Sequence, residues 1–119
     1  MILIVDDSTT NQVLLEAILQ EEGYETRTAF SVNEAFRLME KNPPKLVLLD
    51  LLMPEISGFQ FLEEVKENDE YAHIPIIVVS AIGTEDTIDI CMKLGAADFV
   101  SKPINMSEFL GKVKKFILN

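Results

Sequence analysis

The chain has almost no cysteine: Cys91 stands alone among 119 residues. One thiol cannot close an internal disulfide or build a cysteine zinc site. Basic residues are scarce too, ten Lys and Arg against twenty Asp and Glu, for a net charge of −10. Phosphate backbones are gripped by clustered Lys and Arg, so this balance argues against nucleic acid, and against anionic lipid on the same ground. It favours divalent metals and basic partner surfaces instead. Long apolar runs are missing. The longest, Pro75–Val79 with its small neighbours, is far short of the roughly 20 residues that cross a bilayer. No basic segment followed by an apolar stretch and a cleavage site marks a secretory signal. Five Gly and five Pro are too few for a low-complexity chain. Together these absences point to a reducing, cytoplasmic setting.

What remains, 48% hydrophobic and 25% charged, is ordinary globular composition, and no repeat or linker-like stretch divides residues 1–119, which read as one domain. A rhythm recurs: short apolar run, polar turn, helical pattern. Ile2-Leu3-Ile4-Val5 predicts a buried strand ending in two acids. Leu14, Leu15, Ile18 and Leu19 follow at helical spacing, closed by Gly23. Glu25 to Ala29 alternates like a half-exposed edge strand. Ser31-Val32-Asn33-Glu34 is a capping box that opens a helix carrying Ala35, Phe36 and Met39 inward, stopped by Pro43-Pro44. Lys45 to Asp50 predicts a third strand, Ser57 caps a third helix with Phe61, Leu62 and Val65, and Pro75 to Ser80 predicts a fourth strand. Thr84, Glu85 and Asp86 start a fourth helix that ends at Gly95. Ala97 to Ser101 is a short fifth strand, and Asn105 to Glu108 caps a last helix with Phe109, Leu110, Val113, Phe116 and Ile117 on one face.

Five strand–helix pairs in alternation require a parallel sheet, each helix being a right-handed crossover. Fully apolar first, third and fourth strands belong in its centre, the second and fifth at its edges. The expected fold is α/β, a doubly wound, flavodoxin-like five-stranded sheet with five helices. The placement matches the known strand order 2-1-3-4-5 of that class.

Ligands of such sheets bind beyond the carboxyl ends of the strands, where the order switches, here between the first and third strands. Asp6 and Asp7 follow the first strand, Asp50 the third; Ser80 ends the fourth and Lys102 follows the fifth. Taken singly each has an ordinary reading: an Asp pair as a helix cap, Ser80 as a turn residue, Lys102-Pro103 as nothing in particular. Their fall at the same end of four strands is the signal. Two carboxylates ~4 Å apart repel by about 4 kcal/mol at an effective dielectric near 20. Three need a counter-charge, and a hard cation such as magnesium fits an all-oxygen set while leaving room for a phosphate oxygen. Metal, ammonium, hydroxyl and a free carboxylate oxygen suit phosphoryl transfer to that carboxylate.

These residues resemble the receiver domain of two-component response regulators, of the chemotaxis-regulator kind. Ile4-Val5-Asp6-Asp7, Leu48-Leu49-Asp50 with Met53-Pro54 and Gly58, Val79-Ser80-Ala81, Gly95-Ala96 and Lys102-Pro103 carry the likeness, which spans the whole chain. The resemblance implies that Asp50 is the phosphoacceptor, serviced by a sensor histidine kinase or phosphotransfer protein. It implies magnesium held by Asp7, Asp50 and the backbone carbonyl of Leu52, with Asp6 acting largely through water. Lys102 would contact the phosphoryl group and Ser80 would bond it after transfer. Phe99, at the aromatic switch position, would turn inward, remodelling the face of the fourth helix, fifth strand and fifth helix for an output domain or protein or a second copy. Lys102-Pro103 would be cis, and Gly58 would permit a tight turn. The domain would catalyse only its own phosphorylation and dephosphorylation, a switch rather than an enzyme with external substrate.

Other readings fit less well. A phosphatase of the haloacid dehalogenase type needs a second acid two residues after its nucleophile, where Leu52 stands. A flavin-binding module needs a phosphate loop after the first strand, where Asp6 and Asp7 would repel the phosphate. A receiver-like interaction domain that is never phosphorylated is the runner-up, but it would have no use for Asp6, Asp7, Asp50, Ser80 and Lys102 together. His73 reads as a surface residue, Cys91 as packing, and Lys112, Lys114 and Lys115 as solvated charges that match the helix dipole.

Leu52 and Ile82 lie two residues after the acceptor and after Ser80, where the family often carries polar side chains. Neither can orient an attacking water, so hydrolysis of the acyl phosphate is expected to be slow. Combining Leu52→Asn with Ile82→Glu should accelerate loss of phosphate roughly ten- to a hundredfold, the worth of a water-positioning contact. The dephosphorylation rate at fixed magnesium measures this; a double variant no faster than the parent would show that these side chains do not limit water attack.

Overall fold

The structure, a computed structural model, describes residues 1–51 and 57–117. Its elements run β1 (Ile2–Val5), α1 (Thr9–Glu21), β2 (Thr26–Ala29), α2 (Val32–Lys41), β3 (Leu46–Leu49), α3 (Gly58–Glu67), β4 (Ile76–Ser80), α4 (Glu85–Lys93), β5 (Asp98–Ser101) and α5 (Met106–Ile117). All strand pairs are parallel and the sheet order is β2-β1-β3-β4-β5, the doubly wound order expected. The three central strands are buried along their whole length.

Side chains of a strand alternate between faces, and the core divides accordingly. Leu3, Val5, Val47, Leu49, Ile76, Val78 and Phe99 meet the buried residues of α2, α3 and α4. Ile2, Ile4, Leu46, Leu48, Ile77, Val79 and Val100 meet those of α1 and α5. Register then fixes the upper edge of the sheet. Val5 pairs with Leu49, so Asp6 and Asp50, the next residues, leave the sheet at the same level, and Ser80 pairs with Ser101 beside Lys102.

Helix starts follow the capping signals. Ser8, Ser31, Ser57 and Thr84 each accept a backbone N–H three residues on, and Asn105 Oδ1 accepts from Glu108 N at 3.0 Å; such caps contribute about 1 kcal/mol each. Glu34 completes its box one residue early, accepting from Phe30 N at 2.8 Å rather than from Ser31. Gly23 and Gly95 close α1 and α4 at φ 89° and 107°, conformations that cost a side chain its Cβ clearance.

Three expectations shift. Leu14 is 50% exposed, and Gln12 takes its place among the buried residues of α1. The second strand is buried at its two ends, Thr26 and Ala29, rather than in strict alternation. Gly58 sits in the first turn of α3, where its role is close approach: a Cβ there would lie 2.6 Å from both the carbonyl oxygen of Asp50 and the Cα of Leu51. Both are backbone atoms that cannot swing away. Gly58→Ala should therefore lower stability by about 2–3 kcal/mol, the upper range for overpacking a tight site. Urea denaturation reads this directly, and an unchanged midpoint would show that α3 shifts without cost.

Candidate functional site

Asp6 and Asp50 are almost fully buried at the ends of β1 and β3, while Asp7 faces solvent. One carboxylate oxygen from each of the three lies within 4.8 Å of the others. The Lys102 ammonium reaches between two of them, 3.6 Å from Asp6 Oδ2 and 3.8 Å from Asp50 Oδ2, with only 19% of its side chain exposed. Asp6 Oδ1 accepts from Ser8 N at 2.9 Å. The Asp50 backbone N–H donates to Val5 O at 2.9 Å, tying the end of β3 to β1. The Lys102-Pro103 peptide is cis, as expected.

Ser80 is completely buried at the end of β4. Its hydroxyl accepts from Ile82 N at 3.2 Å, and its carbonyl accepts from Lys102 N at 3.0 Å. Ser80 thus serves the turn after β4, with its carbonyl on the backbone of Lys102. Phe99 is 6% exposed and packed in the α2–α3–α4 core, so its ring is already inside. Its backbone is gripped from both sides: Phe99 N donates to Asp98 Oδ1 at 2.8 Å, and Lys112 Nζ donates to Phe99 O at 2.7 Å. Lys112 also pairs with Asp98 at 3.3 Å and Glu108 at 3.5 Å, so it is a tether between α5 and the sheet edge rather than a solvated charge. Leu52, whose carbonyl was expected at the metal, and Met53-Pro54 lie outside the described residues.

Three carboxylate oxygens at this spacing fit a divalent hard cation: the donor set is all oxygen, and the outermost carboxylate is open to water. Beside the site an apolar groove of about 350 Å³ runs between α1 and the start of α5, lined by Leu14, Leu15, Ile18, Ile104 and Met106 and bounded by Lys102. Cys91 is fully buried in α4, and burial pushes its thiol above the usual 9.0, which fits packing and not reactivity. Among the described residues no helix is long and apolar enough to cross a membrane.

The chain is similar to known proteins along nearly its whole length. A sequence profile of the response regulator receiver domain matches residues 2–114. The polar-differentiation response regulator DivK of Brucella anthropi is 31% identical over 116 residues, 98% of this chain and 94% of DivK. A putative response regulator from Chloroflexus aurantiacus superposes with a TM-score of 0.93 at 32% identity, covering 99% of this chain and 97% of its own. Chemotaxis protein CheY4 of Vibrio cholerae gives 0.90 at 27% identity, covering 98% and 97%.

The crowded carboxylates make a test independent of phosphorylation. Asp7→Asn should stabilise the metal-free fold by relieving repulsion, while weakening magnesium binding more than Asp6→Asn does. Magnesium should raise the melting temperature of the parent by mass action. A melting temperature that magnesium leaves unchanged, well above its measured dissociation constant, would refute the repulsion argument.

Proposed function

The chain belongs to the response regulator receiver domain family, and on that premise we propose that it is a phosphorylation-dependent switch in which Asp50 is the phosphoacceptor. The observation that carries this reading is the acidic triad of Asp6, Asp7 and Asp50 facing Lys102. Asp7, Asp50 and the Leu52 carbonyl are the groups that would hold magnesium directly, with Asp6 acting largely through water. A bound magnesium ion would offset the carboxylate charge and that of the incoming phosphoryl oxygens. An Asp50 carboxylate oxygen attacks phosphorus, the bond to the donor nitrogen of a phosphohistidine breaks, and an acyl phosphate forms. Lys102 stands where it can turn from the carboxylates to a phosphoryl oxygen. Water later cleaves the acyl phosphate and restores Asp50.

The Ser80 hydroxyl spends an acceptor position on Ile82 N–H and keeps a proton to donate to the acyl phosphate. That bond would favour one arrangement of the loop after β4 and one packing of Phe99, a population shift and not a new fold. Because the Phe99 ring is already buried, the change is in how fully that position is occupied. The readout face is that of α4, β5 and α5, where Ile90 and Met92 are 50% and 45% exposed; it suits an output domain, a partner protein or a second copy.

The phosphodonor, a histidine kinase or phosphotransfer protein, must approach Asp50 from above the sheet. The groove of Leu14, Ile104 and Met106 beside Lys102 offers it an apolar seat, which accounts for an exposed leucine on α1. With magnesium, acetyl phosphate should add one phosphate to the parent and none to Asp50→Asn, read by intact mass. Leu14→Lys should keep acetyl phosphate labelling while slowing transfer from a phosphorylated kinase. Labelling of Asp50→Asn equal to the parent would overturn the assignment.

A further inference from the structure

We propose that Gln12 is a positioning residue for the cation site: its side-chain amide holds the peptide between Asp6 and Asp7 and so sets the direction in which both carboxylates are presented. The inference rests on the reading of Asp6, Asp7 and Asp50 as a cation site. Gln12 lies in α1 and is 3% exposed, an unusual burial for an uncharged polar residue of this length. Its Nε2 donates to Asp6 O at 2.6 Å and to Ala29 O at 3.0 Å. The Asp6 N–H donates to the same Ala29 oxygen at 3.1 Å.

These bonds close a ring through the ends of β1 and β2 and the second turn of α1. Both acceptor positions of the Ala29 carbonyl are taken, and Asp6 is held at its N–H and its C=O. Its carboxylate is held as well, by Ser8 N at Oδ1 and by Lys102 at Oδ2. Asp7 differs. Among the described residues its carboxylate makes no hydrogen bond or ion pair. Its direction is left to the backbone, and the carbonyl that orients that backbone is the one Gln12 grips.

The chemistry of the amide suits this place. It gives two N–H donors without charge. A lysine or arginine would bring the donors together with a cation that competes for the same carboxylates. A glutamate would add a fourth negative charge and lose both donors. An apolar residue would leave the Asp6 carbonyl without its partner beneath the site.

Calorimetric titration with magnesium tests the proposal on the parent, Gln12→Met and Leu15→Ala. Leu15 is buried on the same helix in the α1–α5 core, so its truncation loosens α1 without touching the ring. Gln12→Met should weaken magnesium roughly tenfold, the usual cost of losing a group that orients a metal ligand. Leu15→Ala should lower the melting temperature and leave the magnesium constant alone. Gln12→Asn keeps the amide but is one methylene shorter and cannot span both carbonyls; it should also weaken magnesium, and it serves as the test if Gln12→Met does not fold. A parent that binds magnesium and Gln12 variants that bind it equally well would overturn the positioning role alone. Equal weakening by Leu15→Ala would overturn it too, as general loosening of α1. A parent that binds no magnesium would overturn the underlying site reading, and the positioning role with it.

Discussion

Mutual repulsion among Asp6, Asp7 and Asp50 is the constraint around which the molecule is arranged. Their carboxylate oxygens lie within 4.8 Å of one another, a spacing at which like charges repel by on the order of 3 kcal/mol at an effective dielectric near 20, and two of the three carboxylates are buried. A fold that merely tolerated this would let the loops after β1 and β3 drift apart. Here Asp50 N is bonded to Val5 O and Asp6 N to Ala29 O, so the ladder continues one residue past the assigned strands and drift would break it. Lys102 takes up part of the charge of Asp6 and Asp50. The remainder falls on the side of Asp7, which is open to solvent. The fold therefore carries a standing demand for positive charge at one defined place.

Holding that arrangement requires a rigid base, and the base is the sheet. β1, β3 and β4 are buried on both faces, with α1 and α5 on one side and α2, α3 and α4 on the other. Close packing makes such a core resist small displacements. Gly58 extends this rigidity to Asp50, because the first turn of α3 lies against the Asp50 and Leu51 backbone with no space for a Cβ.

Much of this was legible in the sequence because it depends on period and position. Apolar runs of four residues ending in an acid or a serine mark the three central strands, and Phe99-Val100 before Ser101-Lys102 marks the fifth, along with the edge they share. Ser, Thr and Gly at element ends mark the helices. What was not legible depends on contacts between elements. Gln12 looks like one more polar residue on a helix until β2 is seen to bring the Ala29 carbonyl within its reach. Leu14 fits the apolar spacing of α1 as well as Leu15 does, and only the position of α5 decides which of them is covered. Lys112 carries the same charge as Lys114 and Lys115, but it alone of the three faces Asp98 and the Phe99 carbonyl. Gly58 reads as a turn residue because a glycine required by a neighbour's backbone looks the same in sequence as one required by its own φ.

The outer edge of the sheet shows how a change at Asp50 has somewhere to go. β5 is an edge strand, and an unpaired edge is open to stray pairing. The outward N–H and C=O of Phe99 are instead taken by Asp98 and by Lys112 of α5. The next strand inward ends at Ser80, whose carbonyl accepts from Lys102 N, while a Cβ on Gly83 in the loop after β4 would fall 2.4 Å from Ser101 Oγ. Contiguity of this kind does not by itself couple two sites; some element must have two arrangements. The Ser80 hydroxyl is that element in the proposed switch, since it can bond Ile82 N–H alone or an acyl phosphate as well. At Gly83 that loop lies beside Ser101, one residue from Lys102 and two from Phe99. In the proposed switch the short fifth strand thus joins Lys102, which would meet the phosphoryl group, to Phe99, whose packing the output face would read.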